Sequence, residues 1–173
     1  HAFEGCIELK NVIVQEGLEI IGDRAFRNCS MTKFNFPESL QTIGERAFNS
    51  VPLQNISFGK NLIRICDSAF RDCRSLSFVS FSEGLQETGD FVFENCINLQ
   101  ELSFPESLGL LGYGVIDGCN ELHSVYIGKN TNISHIEEDF GYNCLSLKKI
   151  TVAPGNEHLK TIDGVLYDLD TKT

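Results

Sequence analysis

The chain has 173 residues and a mass of 19.3 kDa, which fits one compact domain or one short repeat array and is enough to bury a sizeable core. Hydrophobic residues make up 42% and charged residues 22%, the composition of an ordered chain rather than a disordered one. Its 14 Lys and Arg against 24 Asp and Glu give a formal net charge of −10, which argues against nucleic acid and anionic membrane as main partners, because both need a cationic surface.

No apolar stretch approaches the ~18–20 residues that span a bilayer, and no secretory leader is visible. The chain opens at His1-Ala2-Phe3, so it is expected to be a fragment of a longer protein.

The predicted elements recur along the chain. Cys6, Cys29, Cys73, Cys96, Cys119 and Cys144 are separated by 23, 44, 23, 23 and 25 residues; the 44 spans two repeats with Val51 in the missing slot, and Cys66 stands out of register. Each unit opens with Ala-Phe or a variant: Ala2-Phe3, Ala25-Phe26, Ala47-Phe48, Ala69-Phe70, Val92-Phe93, Val115-Ile116, then Phe140 after a one-residue shift. An apolar-x-x-apolar-x-apolar motif follows each cysteine slot, from Leu9/Val12/Val14 through Leu53/Ile56/Phe58 to Leu147/Ile150/Val152. Its last two apolar residues are two apart and share one face of a strand of ~3–5 residues.

Turn formers come next: Pro37-Glu38-Ser39, Gly59-Lys60-Asn61, Glu83-Gly84, Pro105-Glu106-Ser107, Gly128-Lys129-Asn130. A third motif, apolar-x-x-apolar usually followed by Gly, appears at Leu18/Ile21/Gly22, Leu40/Ile43/Gly44, Leu62/Ile65/Cys66 and Leu108/Leu111/Gly112. The Gly-Asp/Glu-x-Ala-Phe stretch then predicts a short helical turn, its first turn capped by Asp23, Glu45, Asp67 or Asp90. No unit buries its apolar columns alone, so the units must stack along one axis with strands ~4.8 Å apart in a parallel sheet.

Motifs of chemistry are scarce. The seven cysteines include no Cys-x-x-Cys pair and no zinc-ligand spacing with histidine. In register they are expected to form a buried column of small apolar thiols, although stacked neighbours also lie within disulfide range. His1, His123, His135 and His158 lie at no helical or strand spacing from one another, and no nucleophile elbow or glycine-rich phosphate loop occurs. No enzymatic role, no cofactor and no metal are expected. The acidic column is read as turn caps in preference to a Ca²⁺ site. Asn28, Asn55 and Asn132 head Asn-x-Ser sequons, which matter only in a secreted eukaryotic protein; Asn28 and Asn132 equally suit turns.

Residues alternating with the core columns point out of the sheet. Most are small or polar, among them Asn35, Ser57, Ser80, Glu101, Ser103 and Lys149, whereas Ile13, Phe78 and Tyr126 are large. Exposed aromatics on a rigid scaffold are the usual hot-spot chemistry. Phe78 and Tyr126 are two coils apart, roughly 10 Å along the stack, so one partner can touch both. These nine residues are the candidate protein-binding face.

The unit Ala-Phe-x-x-Cys-x-x-Leu-x-x-Val-x-Val-x-x-x-Leu-x-x-Ile-Gly resembles the BspA-type leucine-rich repeat over residues 2–152, and the tail Thr161-Ile162-Asp163-Gly164-Val165-Leu166-Tyr167 resembles that family's array ends. The resemblance implies an α/β fold: a leucine-rich-repeat solenoid of about seven 22–25-residue repeats, with a curved parallel sheet on one face and short helical turns or loops on the other. The array covers 1–152, with a partial repeat or cap over 153–173. It further implies a secreted or cell-surface protein with adhesion to host or matrix proteins through the sheet face. The rival expectation is a structural spacer that presents or regulates another domain.

Overall fold

The computed structural model describes residues 1–133 and 140–170. In chain order the first strands are β1 (Ile20–Ile21), β2 (Thr42–Ile43), β3 (Asn55–Ser57), β4 (Arg64–Ile65), β5 (Phe78–Ser80) and β6 (Glu87–Thr88). They are followed by β7 (Glu101–Ser103), β8 (Leu110–Leu111), β9 (Ser124–Ile127), β10 (Asn132–Ile133) and β11 (Lys149–Val152), and a hairpin of β12 (Leu159–Ile162) and β13 (Val165–Asp168) ends the array. The chain winds as a parallel β-solenoid with three flanks.

The first flank carries β3 paired with β5, and β7-β9-β11. The second carries the continuous parallel sheet β1-β2-β4-β6-β8-β10. The third is a column of turns. The expectation of one sheet face is therefore corrected to two, because the Leu-x-x-Ile-Gly motif is itself a strand. Its Ile column enters the core in register, Ile21 against Ile43 against Ile65. Six strands on the second flank correspond to about six turns of the solenoid, where seven repeats were expected; the seventh motif set runs out into the hairpin.

The expected helical turns are absent: the described residues contain no helix. The reason lies in where the turn amides go. Ala25, Arg27 and Cys29 donate to carbonyls three residues back, as a helical turn would. The intervening amides of Arg24, Phe26 and Asn28 instead donate to Glu45, Ala47 and Asn49 of the next coil, at 2.8, 2.8 and 3.0 Å. Aiming alternate N–H groups sideways requires left-handed residues four apart: Arg24 and Asn28 (φ 54° and 58°), Arg46 and Ser50 (54° and 60°), Ser68 and Asp72 (56° and 59°), Phe91 and Asn95 (57° and 59°). Gly114 and Gly118 occupy the same two positions in the next coil. A helix cannot hold such residues. On the second flank Gln41 donates to Glu19 and Gly44 to Ile21 of the preceding coil.

The turns place one phenylalanine per coil on the axis. Phe3, Phe26, Phe48, Phe70 and Phe93 stack with successive centroid separations of 5.4, 5.3, 5.3 and 5.7 Å. A second column of Phe36, Phe58, Phe81 and Phe104 runs beside it, the last three each directly following a first-flank strand. Departures from the repeat fit this frame. Val51 fills the cysteine slot fully buried. Thr88 replaces the inward Ile, and its Oγ1 accepts the Gly112 N–H at 3.2 Å. A Cβ on Gly112 would collide with the Gly89 carbonyl oxygen, so the small residue is needed where the coils close up.

Phe70 is fully buried, and Phe70→Ala is expected to lower stability by ~3–5 kcal/mol in urea unfolding. Ser50 is exposed at φ 60°. Ser50→Gly should leave stability unchanged or raise it by up to about 1 kcal/mol, whereas a helical position would lose about that much; the same unfolding assay distinguishes the two.

Candidate protein-binding face

The nine candidate residues do not form one site. Ile13 is 94% exposed on the first coil and lines a separate apolar concavity there with Val12, Val14 and Phe26. Asn35 is exposed in a stretch that forms no strand. Ser57 lies on β3 in register with Ser80. Lys149 and Glu101 both register against Ser124 of β9, one strand to either side. The structure brings together Phe78, Ser80, Ser103 and Tyr126, which line one concavity of the first flank. Phe78 and Ser103 also border an adjoining one with Glu101.

Phe78 is 53% exposed. It points outward because Val79, between it and Ser80, is the inward residue of β5. Tyr126 departs from the expectation of a ring projecting freely. It is half-buried, and its hydroxyl donates to Glu106 Oε1 at 2.5 Å. Glu106 Oε2 also accepts the Lys129 amide at 2.5 Å. These two bonds hold the Glu106 carboxyl below its ordinary range, and the same bond raises the Tyr126 phenol.

Sequence reasoning passed over Glu83 and Glu106 as parts of this face. The available signal was the glutamate recurring in the turn slot. Glu16 accepts from the amides of Glu38 and Ser39 (3.0 and 3.1 Å), and Glu83 from those of Glu106 and Ser107 (3.2 and 2.9 Å). Each carboxylate thereby clamps the turn of the following coil. The Asp column behaves alike. Asp23, Asp67 and Asp90 accept from Glu45, Asp90 and Tyr113 at 2.9, 3.1 and 2.8 Å. They bridge coils where caps of their own turns were expected; Glu45 instead pairs with Arg46 at 3.1 Å. The second flank, also unforeseen as a sheet, shows solvent a mixed column of Ile20, Thr42, Arg64, Glu87, Leu110 and Asn132, with Arg64 and Glu87 ion-paired at 3.3 Å.

The cysteine column is as expected for Cys29, Cys73, Cys96 and Cys119, which are buried free thiols; Cys6 is exposed and Cys144 half-buried. Each buried thiol donates to the carbonyl of the preceding coil's phenylalanine column, as Cys73 does to Phe48 at 3.2 Å and Cys96 to Phe70 at 3.3 Å. Burial pushes the Cys73 thiol up to about 12, and those of Cys96 and Cys119 well above their ordinary value.

Among the described residues no three His, Cys, Asp or Glu are grouped to hold a metal. Asn28 is exposed at φ 58°, a turn position, and Asn55 accepts from Ser77 at 3.3 Å. His135, and Ser134 of the third sequon, lie outside the described residues.

A model of the BspA-type leucine-rich repeat region matches residues 1–122 and 42–164 in six copies. The chain belongs to the BspA-type leucine-rich repeat family. Comparison with curated protein sequences gave no match. Among solved structures, this BspA-type array is similar to a leucine-rich repeat protein of T. pallidum, with 27% identity, a TM-score of 0.69, and 79% of this chain covering 65% of that one. It is also similar to the pneumococcal vaccine antigen PcpA, with 27% identity, a TM-score of 0.60, and 88% of this chain covering 33% of that one. A Eubacterium ventriosum leucine-rich repeat protein shares the fold at 24% identity and a TM-score of 0.63, with 76% of this chain covering 34% of that one. The chain thus spans from about a third to 65% of these proteins. Leucine-rich repeat solenoids are generally non-catalytic scaffolds that bind proteins, and no helix of the described residues is long and apolar enough to cross a membrane.

The raised thiols carry a pH dependence of defined sign. Above about pH 9 the unfolded chain loses thiol protons that the folded chain keeps, so stability falls as pH rises toward about 12. Urea midpoints between pH 8 and 11 are expected to decline, less steeply in Cys73→Val, the residue the array itself uses at position 51.

Proposed function

We propose that this BspA-type array is a non-catalytic adhesion module of a secreted or cell-surface protein, and that it engages host or matrix proteins through the first flank around Phe78. The observation that carries the reading is Phe78 itself, a 53% exposed phenylalanine beside Tyr126 in one concavity. Large rings on a scaffold already rigid before binding contribute contact area at low ordering cost. The likeness to a pneumococcal vaccine antigen supports placement at a bacterial surface. In this reading residues 1–152 form the binding array and 153–173 its cap. The cap's anchor is Asn156, whose Nδ2 donates to the carbonyls of Gly128 and Thr131 at 2.9 Å each while Oδ1 accepts from the amides of His158 and Leu159.

The test is a binding screen of the chain against immobilised epithelial and extracellular-matrix proteins beside Phe78→Ser/Tyr126→Ser, with circular dichroism confirming that the double variant is folded. Binding is expected for the parent and a loss of at least about tenfold for the variant. Binding kept in a folded variant places the contact on the turns or the second flank. No binding by the parent favours the spacer role.

A further inference from the structure

The first flank is interrupted at the point where Phe78 is exposed. β3 pairs with β5 and β7 with β9, yet β5 and β7 lie side by side with no backbone pairing between them among the described residues. The two concavities meet along this seam and share Phe78, Val79 and Ser103. Their acidic lining is Glu83, Glu101 and Glu106, and no Lys, Arg or His lines either. Two of these charges are fixed in place by the bonds that clamp neighbouring turns. The third, Glu101, is exposed and forms no ion pair among the described residues. An open aromatic face and fixed carboxylates beside it are the two halves of a guanidinium site: the ring attracts the cation over its face and the carboxylate takes its N–H groups. The chain already makes the first half internally, where the Arg71 guanidinium carbon sits 5.9 Å from the Phe91 ring centre.

We infer that the β5–β7 seam receives an extended basic segment of a partner protein, with an arginine stacked on Phe78 and held by Glu101. The inference rests on the protein-binding reading above and names the partner's chemistry. The net charge of −10 adds long-range attraction for such a segment. Bonding from Tyr126 and the Lys129 amide keeps Glu106 ionised to lower pH than a free glutamate, so the seam stays anionic in mildly acidic surroundings. A metal is a poorer occupant, since no three ligating side chains converge.

The test uses the whole isotope-labelled chain titrated with the peptide acetyl-Gly-Arg-Val-Arg-Gly-amide and its Glu-for-Arg counterpart, read by amide chemical shifts at low and high salt. The arginine peptide is expected to shift resonances of β5 and β7, to weaken with salt, and to lose about tenfold in affinity in Phe78→Ser and about threefold in Glu101→Gln. Both side chains project to solvent, so neither substitution threatens the fold. Equal binding of the glutamate peptide, shifts centred elsewhere, or no shift at all overturns the inference. If those results come while Phe78→Ser/Tyr126→Ser still abolishes capture of matrix proteins, only the basic-segment assignment falls. If that capture is unaffected as well, the binding face falls with it.

Discussion

The amide that leaves its own turn for the next coil governs this structure. A turn that kept all its N–H groups would be a helix, self-sufficient and indifferent to its neighbours. Here alternate amides are committed across the coil boundary, so no turn is complete until the next coil has formed. That commitment forces left-handed backbone at two fixed positions per coil and aligns the phenylalanines of successive turns into a stack. It also spaces the strands on both sheet flanks. The cooperativity expected of a quasi-one-dimensional array has here a concrete atomic source.

Side chains extend the same rule. Asp23, Asp67 and Asp90 at the turn entrance, and Glu16, Glu83 and Glu106 at the strand exit, each accept from an amide of the following coil, and Glu106 also accepts from the Tyr126 hydroxyl. Serine and asparagine in the same turns reach back, as Ser107 does to Leu85 and Asn130 to Glu106. Part of the chain's acidity is thus structural in placement, and it leaves an anionic rim beside β5, where the Phe78 ring faces solvent. Scaffold and candidate site use the same carboxylates.

Much of this was legible in the residues. The columns of Phe, Cys, Leu and Ile specified stacking because their period repeats with side chains of nearly constant size, and the parallel arrangement follows from that alone. Hidden features had a common cause. The acidic residue before Ala-Phe is chemically as good a helix cap as an intercoil bridge, and only the position of the neighbouring coil decides between them. Arg46, Ser50, Ser68 and Phe91 carry no signature of positive φ, although Gly114, Gly118 and the Asn at 28 and 95 in equivalent slots hinted at it. The two-residue strands of the second flank were too short for alternation to show. At the candidate site, Phe78 could be found as a large residue in a small-residue column, whereas the restraint of Tyr126 by Glu106 depends on a contact across 20 residues that no local pattern encodes.

The mixed senses of the cross-coil backbone bonds have an electrostatic consequence. Along the turns the cross-coil N–H groups point toward the C-terminal end of the array; on the second flank those of Gln41 and Gly44 point toward the N-terminal end, while parallel pairing there also contributes bonds of the other sense. In an α-helix every peptide dipole adds to one macrodipole, and the end charges persist however long the helix grows. In this solenoid cross-coil bonds of opposite sense partly offset one another, so lengthening the array accumulates less axial field than lengthening a helix. The potential that an approaching partner meets is then weighted toward the side chains of each coil.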